Sequence, residues 1–146
     1  MKLSWNPTIA AALLFLLAGP ATAQESPVAV YGKFHQAALK ANYAEMKKHA
    51  TAESMKVLET MPEDKRAGML SFSAMLLPPK YTITGQEPSA DGNRVTLRAT
   101  GMLAVPGVKP ELAIGELQML KVGGAWKVAS AGWQPADAGK PANTKR

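Results

Sequence analysis

The spacing of apolar side chains changes near the middle of the chain. Between residues 26 and 77 they recur every three or four positions, which is typical of helices with one buried face. Pro78-Pro79 ends this half, because neither proline can donate a helical backbone hydrogen bond. From Tyr81 onward the period is two, as in half-buried strands. The pattern therefore predicts helices followed by a sheet.

Capping signals divide the helical half into four segments. Ser26-Pro27 is an N-cap followed by a proline in the first turn, where its missing N–H costs nothing. Asn42 and Thr51 are the predicted caps of the second and third helices. An acidic pair follows Pro62 and suits the positive end of a fourth helix dipole.

The second half predicts four strands. Residues 95–103 alternate most clearly, after a turn at Asp91-Gly92-Asn93, and Gly123-Gly124 is typical of a hairpin turn. In the third strand the alternation slips between Ile114 and Leu120, which predicts a β-bulge there with Gly115 as its pivot. The fold class is α+β, with N-terminal helices packed on a curved four-stranded antiparallel meander in a cone-like arrangement.

The first residues predict export. Lys2 precedes an apolar run from Ile9 to Leu17, and small residues follow up to Ala23. This is the order of a cleavable signal peptide over residues 1–23, and the run is too short to span a bilayer. We therefore expect a periplasmic or secreted protein with one domain over residues 24–134 and a disordered basic tail over 135–146.

Composition excludes several kinds of site. Without cysteine there is no disulfide, thiolate nucleophile, cysteine-based zinc site or lipidated cysteine anchor. The net charge is +6, but the cations are not clustered with aromatic residues, so no nucleic-acid partner is expected. The methionines are spread along helical faces rather than clustered as copper(I) ligands. His35 and His49 lie on different predicted helices, so no metal site and no cofactor are predicted.

Three segments, residues 26–34, 39–46 and 120–128, together with the order of elements, resemble the nuclear transport factor two-like superfamily. That superfamily includes SnoaL-like proteins and ketosteroid isomerase, and the chain more narrowly resembles its small exported bacterial proteins of unknown function. The resemblance implies a cavity between helices and sheet, and a homodimer across the sheet. It does not imply a reaction, because one fold hosts many functions.

The sequence shows no set of residues with the pattern of a known catalytic site. Steroid isomerases use a carboxylate base facing a tyrosine and a protonated acid, whereas the apolar strand faces here carry no acid except Glu116 on the slipped strand. The Asp and His expected of SnoaL-like cyclases have no matching positions. His35 either points into the cavity as a base or is a partly exposed structural histidine, and the structural interpretation is favoured. We therefore expect no enzyme.

Two functions remain. The first is a non-catalytic binding module whose cone holds a small apolar ligand or a peptide. The candidate ligand-binding residues are Tyr31, His35, Met69, Phe72, Tyr81 and Trp126. The second is a periplasmic protein-interaction role, as an envelope accessory factor or an immunity protein that inhibits a toxin. The candidate interaction residues are Arg94, Arg98 and Trp133.

Cavity volume distinguishes the two functions. A pocket of a few hundred cubic ångströms with a mouth favours ligand binding. A filled cone beside an exposed patch favours protein interaction.

Trp133 is either exposed for binding or caps the open end of the cone. An isomerase- or cyclase-like enzyme is the least favoured reading of the chain.

Overall fold

Four helices precede a four-stranded antiparallel sheet in the computed structural model, which describes residues 23–138. The helices are α1 (Pro27–Leu39), α2 (Tyr43–His49), α3 (Ala52–Glu59) and α4 (Glu63–Met75). The strands are β1 (Tyr81–Pro88), β2 (Arg94–Leu103), β3 (Glu111–Val122) and β4 (Ala125–Pro135). The predicted α+β class is confirmed. The predicted signal peptide, apart from Ala23, and the predicted tail beyond residue 138 lie outside the described residues.

The predicted caps form. Ser26 Oγ accepts a hydrogen bond from the Ala29 N–H, and the Asn42 and Thr51 side chains do the same for α2 and α3. Each cap satisfies one of the backbone donors that a helix start leaves unpaired. Pro62 precedes α4 without a side-chain cap, and the acidic pair occupies the first turn of that helix.

The sheet is a meander in which each strand pairs with the next, in the order β1-β2-β3-β4. The predicted bulge at Gly115 is wrong, because β3 keeps unbroken register with β2 from Glu111 to Leu120. The apparent slip arises because Leu112 and Ile114 are apolar yet exposed on the outer face. One register shift lies between Ile83 and Gly85 of β1. Another lies between Gln118 and Met119 in the pairing of β3 with β4, within the predicted span but not at Gly115.

The helices pack on one face of the sheet. Leu97, Ala99, Leu117, Met119 and Val128 form the buried floor of the core beneath them. The α2–α3 junction is tied to β4, since the Thr51 N–H donates to the Val128 carbonyl at 2.9 Å and Ser54 Oγ donates to the same oxygen at 3.2 Å.

The fourth helix contacts the sheet less than the other three helices do. It packs mainly against α1, and Leu70 is its only buried residue. In the described part of the chain, no helix combines the length and apolar character needed to cross a membrane.

Candidate functional site

Four rings meet between the helices and the sheet, and we call them the aromatic cluster. Tyr31 and His35 come from successive turns of α1, Tyr81 from the start of β1 and Trp133 from β4. The ring centres of His35 and Tyr81 are 4.7 Å apart in an edge-on arrangement, and His35 and Trp133 are 6.1 Å apart. Three of the predicted candidates, Tyr31, His35 and Tyr81, are thus brought together with Trp133.

A hydrogen-bond chain runs in one direction from Trp133 through Tyr31 and His35 to the Pro78 carbonyl. His35 Nε2 lies 2.8 Å from the Pro78 carbonyl, which can only accept, so Nε2 carries the proton of the neutral imidazole. The Nδ1 atom then accepts from the Tyr31 hydroxyl at 3.0 Å. Tyr31 Oη in turn accepts from the Trp133 indole N–H at 3.0 Å. All four polar groups in the chain are paired, which offsets the cost of burying them.

The cluster is electrically neutral near pH 7. Burial lowers the pKa of His35, against the opposing effect of its bond to the Pro78 carbonyl. Burial also raises the pKa of the Tyr31 hydroxyl, opposed by the Trp133 hydrogen bond, and raises the pKa of Tyr81. Among residues 23–138, no group of three His, Asp or Glu side chains is placed to hold a metal ion.

His35 is more buried than the sequence predicts. Its structural interpretation assumed partial exposure, whereas only 1% of the residue is exposed. The burial is sustained by partners for both ring nitrogens, one of them a carbonyl 43 positions away at the double proline. Sequence periodicity carries no signal for such a distant partner.

An apolar pocket of about 290 Å³ opens at the end of the cone, and we call it the mouth pocket. Its walls come from the end of α4, the β2–β3 loop and β4: Leu76, Leu103, Val105, Val108, Trp133 and Pro135. Lys109 and Glu111 also line it. The aromatic cluster occupies space between α1 and the sheet where the sequence predicts a cavity, and the mouth pocket lies beside this cluster, over Trp133.

Trp133 joins the mouth pocket to the aromatic cluster. The residue is half-buried, its ring lines the pocket, and its N–H donates to Tyr31. The Trp133 ring fits here because Gly115 has no side chain. A Cβ on Gly115 would lie 2.9 Å from Trp133 Cζ2, which is too close. Of the two alternatives for Trp133, the structure favours the one in which it caps the open end of the cone.

Other predicted ligand-binding residues lie outside the cluster. Met69 and Phe72 are on the exposed side of α4, and 59% of Phe72 is accessible. With Met75 and Leu76 they form a row of exposed apolar side chains that we call the α4 stripe. Trp126 is half-buried at the other end of β4, where the Lys121 ammonium lies 5.0 Å from its ring centre.

The predicted interaction residues Arg94 and Arg98 lie on the outer face of the sheet and are exposed. Arg98 forms ion pairs with Glu87 at 3.0 Å and Glu116 at 3.8 Å. Glu116, the single acid considered for the cone interior, therefore faces away from it. The Trp133 ring lies on the opposite face, where its N–H donates to Tyr31, so the side chains of the two arginines share a face that the Trp133 ring does not.

Comparisons with known proteins identify the fold but no family. No family model and no curated protein sequence matches the chain. The structure is similar to a SEC-C motif containing protein from Rhodopseudomonas palustris, with a TM-score of 0.56, 14% identity, and coverage of 73% of this chain and 77% of that chain. At this identity the similarity concerns the fold alone.

A second structural neighbour is an NTF-2 like protein of unknown function from Shewanella oneidensis. Its TM-score is 0.49 at 10% identity, with coverage of 73% of this chain and 93% of that chain. This similarity is weak. Membership of the SnoaL-like superfamily stays a prediction.

Proposed function

We propose that this protein is an exported, non-catalytic binding module that takes up a small apolar ligand in the mouth pocket. The observation that carries the proposal is the location of an apolar pocket over Trp133, at the open end of a cone whose interior is filled. Its volume of about 290 Å³ is at the lower end of small-molecule sites. The ligand class is thus a single ring system or a short aliphatic chain.

The neutrality of the aromatic cluster supports a binding role over a catalytic one. Acid–base catalysis uses groups whose pKa lies near the working pH. Here burial moves the His35 and tyrosine pKa values away from neutrality in opposite directions, and the described cone interior contains no carboxylate beside them. The cluster fixes the position of Trp133 beneath the pocket.

Fluorescence of Trp133 tests the ligand proposal. In a chain that begins at Gln24, only Trp126 and Trp133 remain, so Trp126→Phe leaves Trp133 as the single indole reporter. We expect toluene or 1-hexanol to change its emission saturably. Val108→Glu places a charge in the pocket wall and should weaken binding by about tenfold or more.

Val57→Glu is the matched control, because Val57 is a valine on α3 that is also more than half exposed and does not line the pocket. It should bind the probes as the parent does. A linear, unsaturable response, or equal weakening by both substitutions, would refute the ligand proposal.

Export is a separate part of the proposal, supported by the pattern of residues 1–23. Expression of the full chain in a Gram-negative host should deliver a periplasmic protein whose N-terminal residue is Gln24. Cytoplasmic protein that retains residues 1–23 would contradict export without affecting the binding proposal.

The α4 stripe favours a second candidate, an envelope protein partner with an apolar docking segment. Exposed rows of large apolar side chains often mark interaction surfaces, and methionine adapts to varied partners. A photocrosslinker at position 72 should capture a defined envelope protein that a crosslinker at position 57 does not. That purified protein should then bind Phe72→Ser at least about tenfold more weakly than the parent chain. Equal binding would refute this candidate.

A further inference from the structure

A second concavity, about 780 Å³ in volume, lies between α1 and α2 on a different side of the molecule. We call it the basic cleft. Its charged and polar lining residues are Lys33, Lys40, Lys48, His49 and the single acid Glu45, together with Gln36 and Asn42. It shares no lining residue with the mouth pocket. Its volume is within the range of small-molecule sites.

The floor of the basic cleft is kept open by small residues of α1. Ala29, Gly32 and Ala37 present little or no side chain. A Cβ on Gly32 would lie 3.5 Å from Tyr81 Oη, which places the Tyr81 hydroxyl at this floor. A bound molecule could therefore meet a hydroxyl at the base of the cleft and ammonium groups at its sides.

The cleft carries more positive than negative charge. Lys33 is paired with Glu25 and Lys48 with Glu45. No ion pair of Lys40 occurs within residues 23–138. Lys127 adds a cation at the edge, where its Nζ donates to the Lys48 carbonyl rather than to a carboxylate.

His49 lies among these cations. Burial lowers its pKa first, and the charges of Lys33 and Lys127 lower it further, against the smaller opposing effects of Glu45 and Glu25. The two lysines from α1 and β4 therefore act on one region of space. A concave site with surplus ammonium charge attracts anions and concentrates them.

We propose that the basic cleft binds a phosphate-bearing ligand with a polar, hydroxyl-rich body. Lysine ammonium groups bind phosphate as point charges, and Lys40 and Lys127 supply the uncompensated charge. Gln36 and the Tyr81 hydroxyl provide neutral hydrogen-bonding groups for the ligand body. The phosphate belongs either to a soluble molecule or to a lipid headgroup.

Amide NMR titration of the mature chain tests this site. The probes are inorganic pyrophosphate and fructose 1,6-bisphosphate at low salt, and vesicles of phosphatidylglycerol compared with phosphatidylcholine by co-sedimentation. We expect saturable shifts confined to α1, α2, the start of β1 and the part of β4 around Lys127. The combined Lys40→Gln and Lys127→Gln variant should bind about fivefold or more weakly, because two exposed ammonium charges are removed.

The control is a second double variant that loses the same two positive charges at positions outside the cleft. Lys56→Gln with Lys65→Gln removes two exposed lysines of α3 and α4 that do not line the cleft. It should retain parental affinity. Binding of the soluble probes assigns the phosphate to a soluble ligand, and binding of phosphatidylglycerol vesicles alone assigns it to a lipid headgroup.

Three outcomes would overturn the proposal: no saturable shift with any probe, shifts scattered over all cationic surfaces, or equal loss of binding in the control. All three leave the mouth pocket proposal intact, because the two sites have no residue in common.

Discussion

At the scale of single residues, the protonation of His35 couples the core to pH. Its pKa in the folded chain is below the ordinary 6.5, mainly because the imidazole is buried. The unfolded chain therefore binds more protons below pH 6.5 than the folded chain does. Hence stability is fully present above about pH 6.5, decreases as the pH falls, and levels off below the folded pKa. Tyr31 and Tyr81 face the ring and stay uncharged over this range.

We predict that urea unfolding between pH 7 and 5 shows this loss of stability, and that His35→Gln flattens the slope. The pKa of His49 is also lowered, but His49 is far less buried, so His49→Gln should flatten the slope less. Imidazole NMR of the parent chain gives an independent reading, with His35 titrating below its ordinary range. A His35 titration at or above pH 6.5 would contradict the prediction.

Gly115 gives a second prediction at this scale. A methyl group at this position would lie 2.9 Å from the Trp133 ring, so the indole must move and its hydrogen bond to Tyr31 is disturbed. Gly115→Ala should lower the free energy of unfolding by about 1–3 kcal/mol and change the near-ultraviolet circular dichroism of tryptophan. The control is Gly132→Ala on the neighbouring strand, where the nearest atom is 3.8 Å away. Similar losses in the two variants would refute the steric argument.

At the scale of elements, α4 has a buried side that contributes to folding stability and an exposed side that does not. Leu70 is buried, whereas Phe72, two positions later, is exposed. Leu70→Ala should therefore destabilise the protein by about 2–4 kcal/mol through lost burial and a residual cavity. Phe72→Ser should change stability by less than about 0.5 kcal/mol. Chemical denaturation measures both, and a large loss for Phe72→Ser would show that the α4 stripe is packed within the molecule.

The elements themselves could largely be predicted from the sequence because their signals are local. Caps at Ser26, Asn42 and Thr51 and the change of period at Pro78-Pro79 act within a few residues. The error at Gly115 shows the limit of periodicity. Leu112 and Ile114 are apolar on the outer face, so hydrophobicity alone does not identify which side of β3 is buried.

The candidate site could be predicted only in part. Tyr31, His35 and Tyr81 were identifiable as side chains bordering a cavity, but the link from His35 to the Pro78 carbonyl depends on tertiary structure. Met69 and Phe72 follow the helical period like core residues, yet α4 packs mainly against α1 and leaves them exposed. A periodic pattern shows that a helix has an apolar face, not whether another element covers it.

At the scale of the whole molecule, the uneven attachment of the layers predicts uneven stability. The central strands β2 and β3 pair on both sides, and their inner residues are fully buried. α4 exposes most of its surface and is held mainly by α1. Segments with few buried contacts open at lower free energy than the core. We therefore predict that amides of α4 exchange with deuterium well before those of β2 and β3.

The lower stability of α4 should depend on ligand binding at the mouth pocket, because Leu76 at the end of α4 forms one of the pocket walls. We expect an apolar ligand to bind the pocket only while α4 is in place. Such a ligand should slow deuterium exchange in α4 by a factor of one plus the ratio of ligand concentration to Kd. At ten times Kd, exchange from this opening slows about elevenfold. At the same ligand concentration Val108→Glu should reduce the slowing to about twofold or less, while Val57→Glu should retain it. Equal protection of α4 and the central strands without ligand would show that the helix is part of the cooperative core.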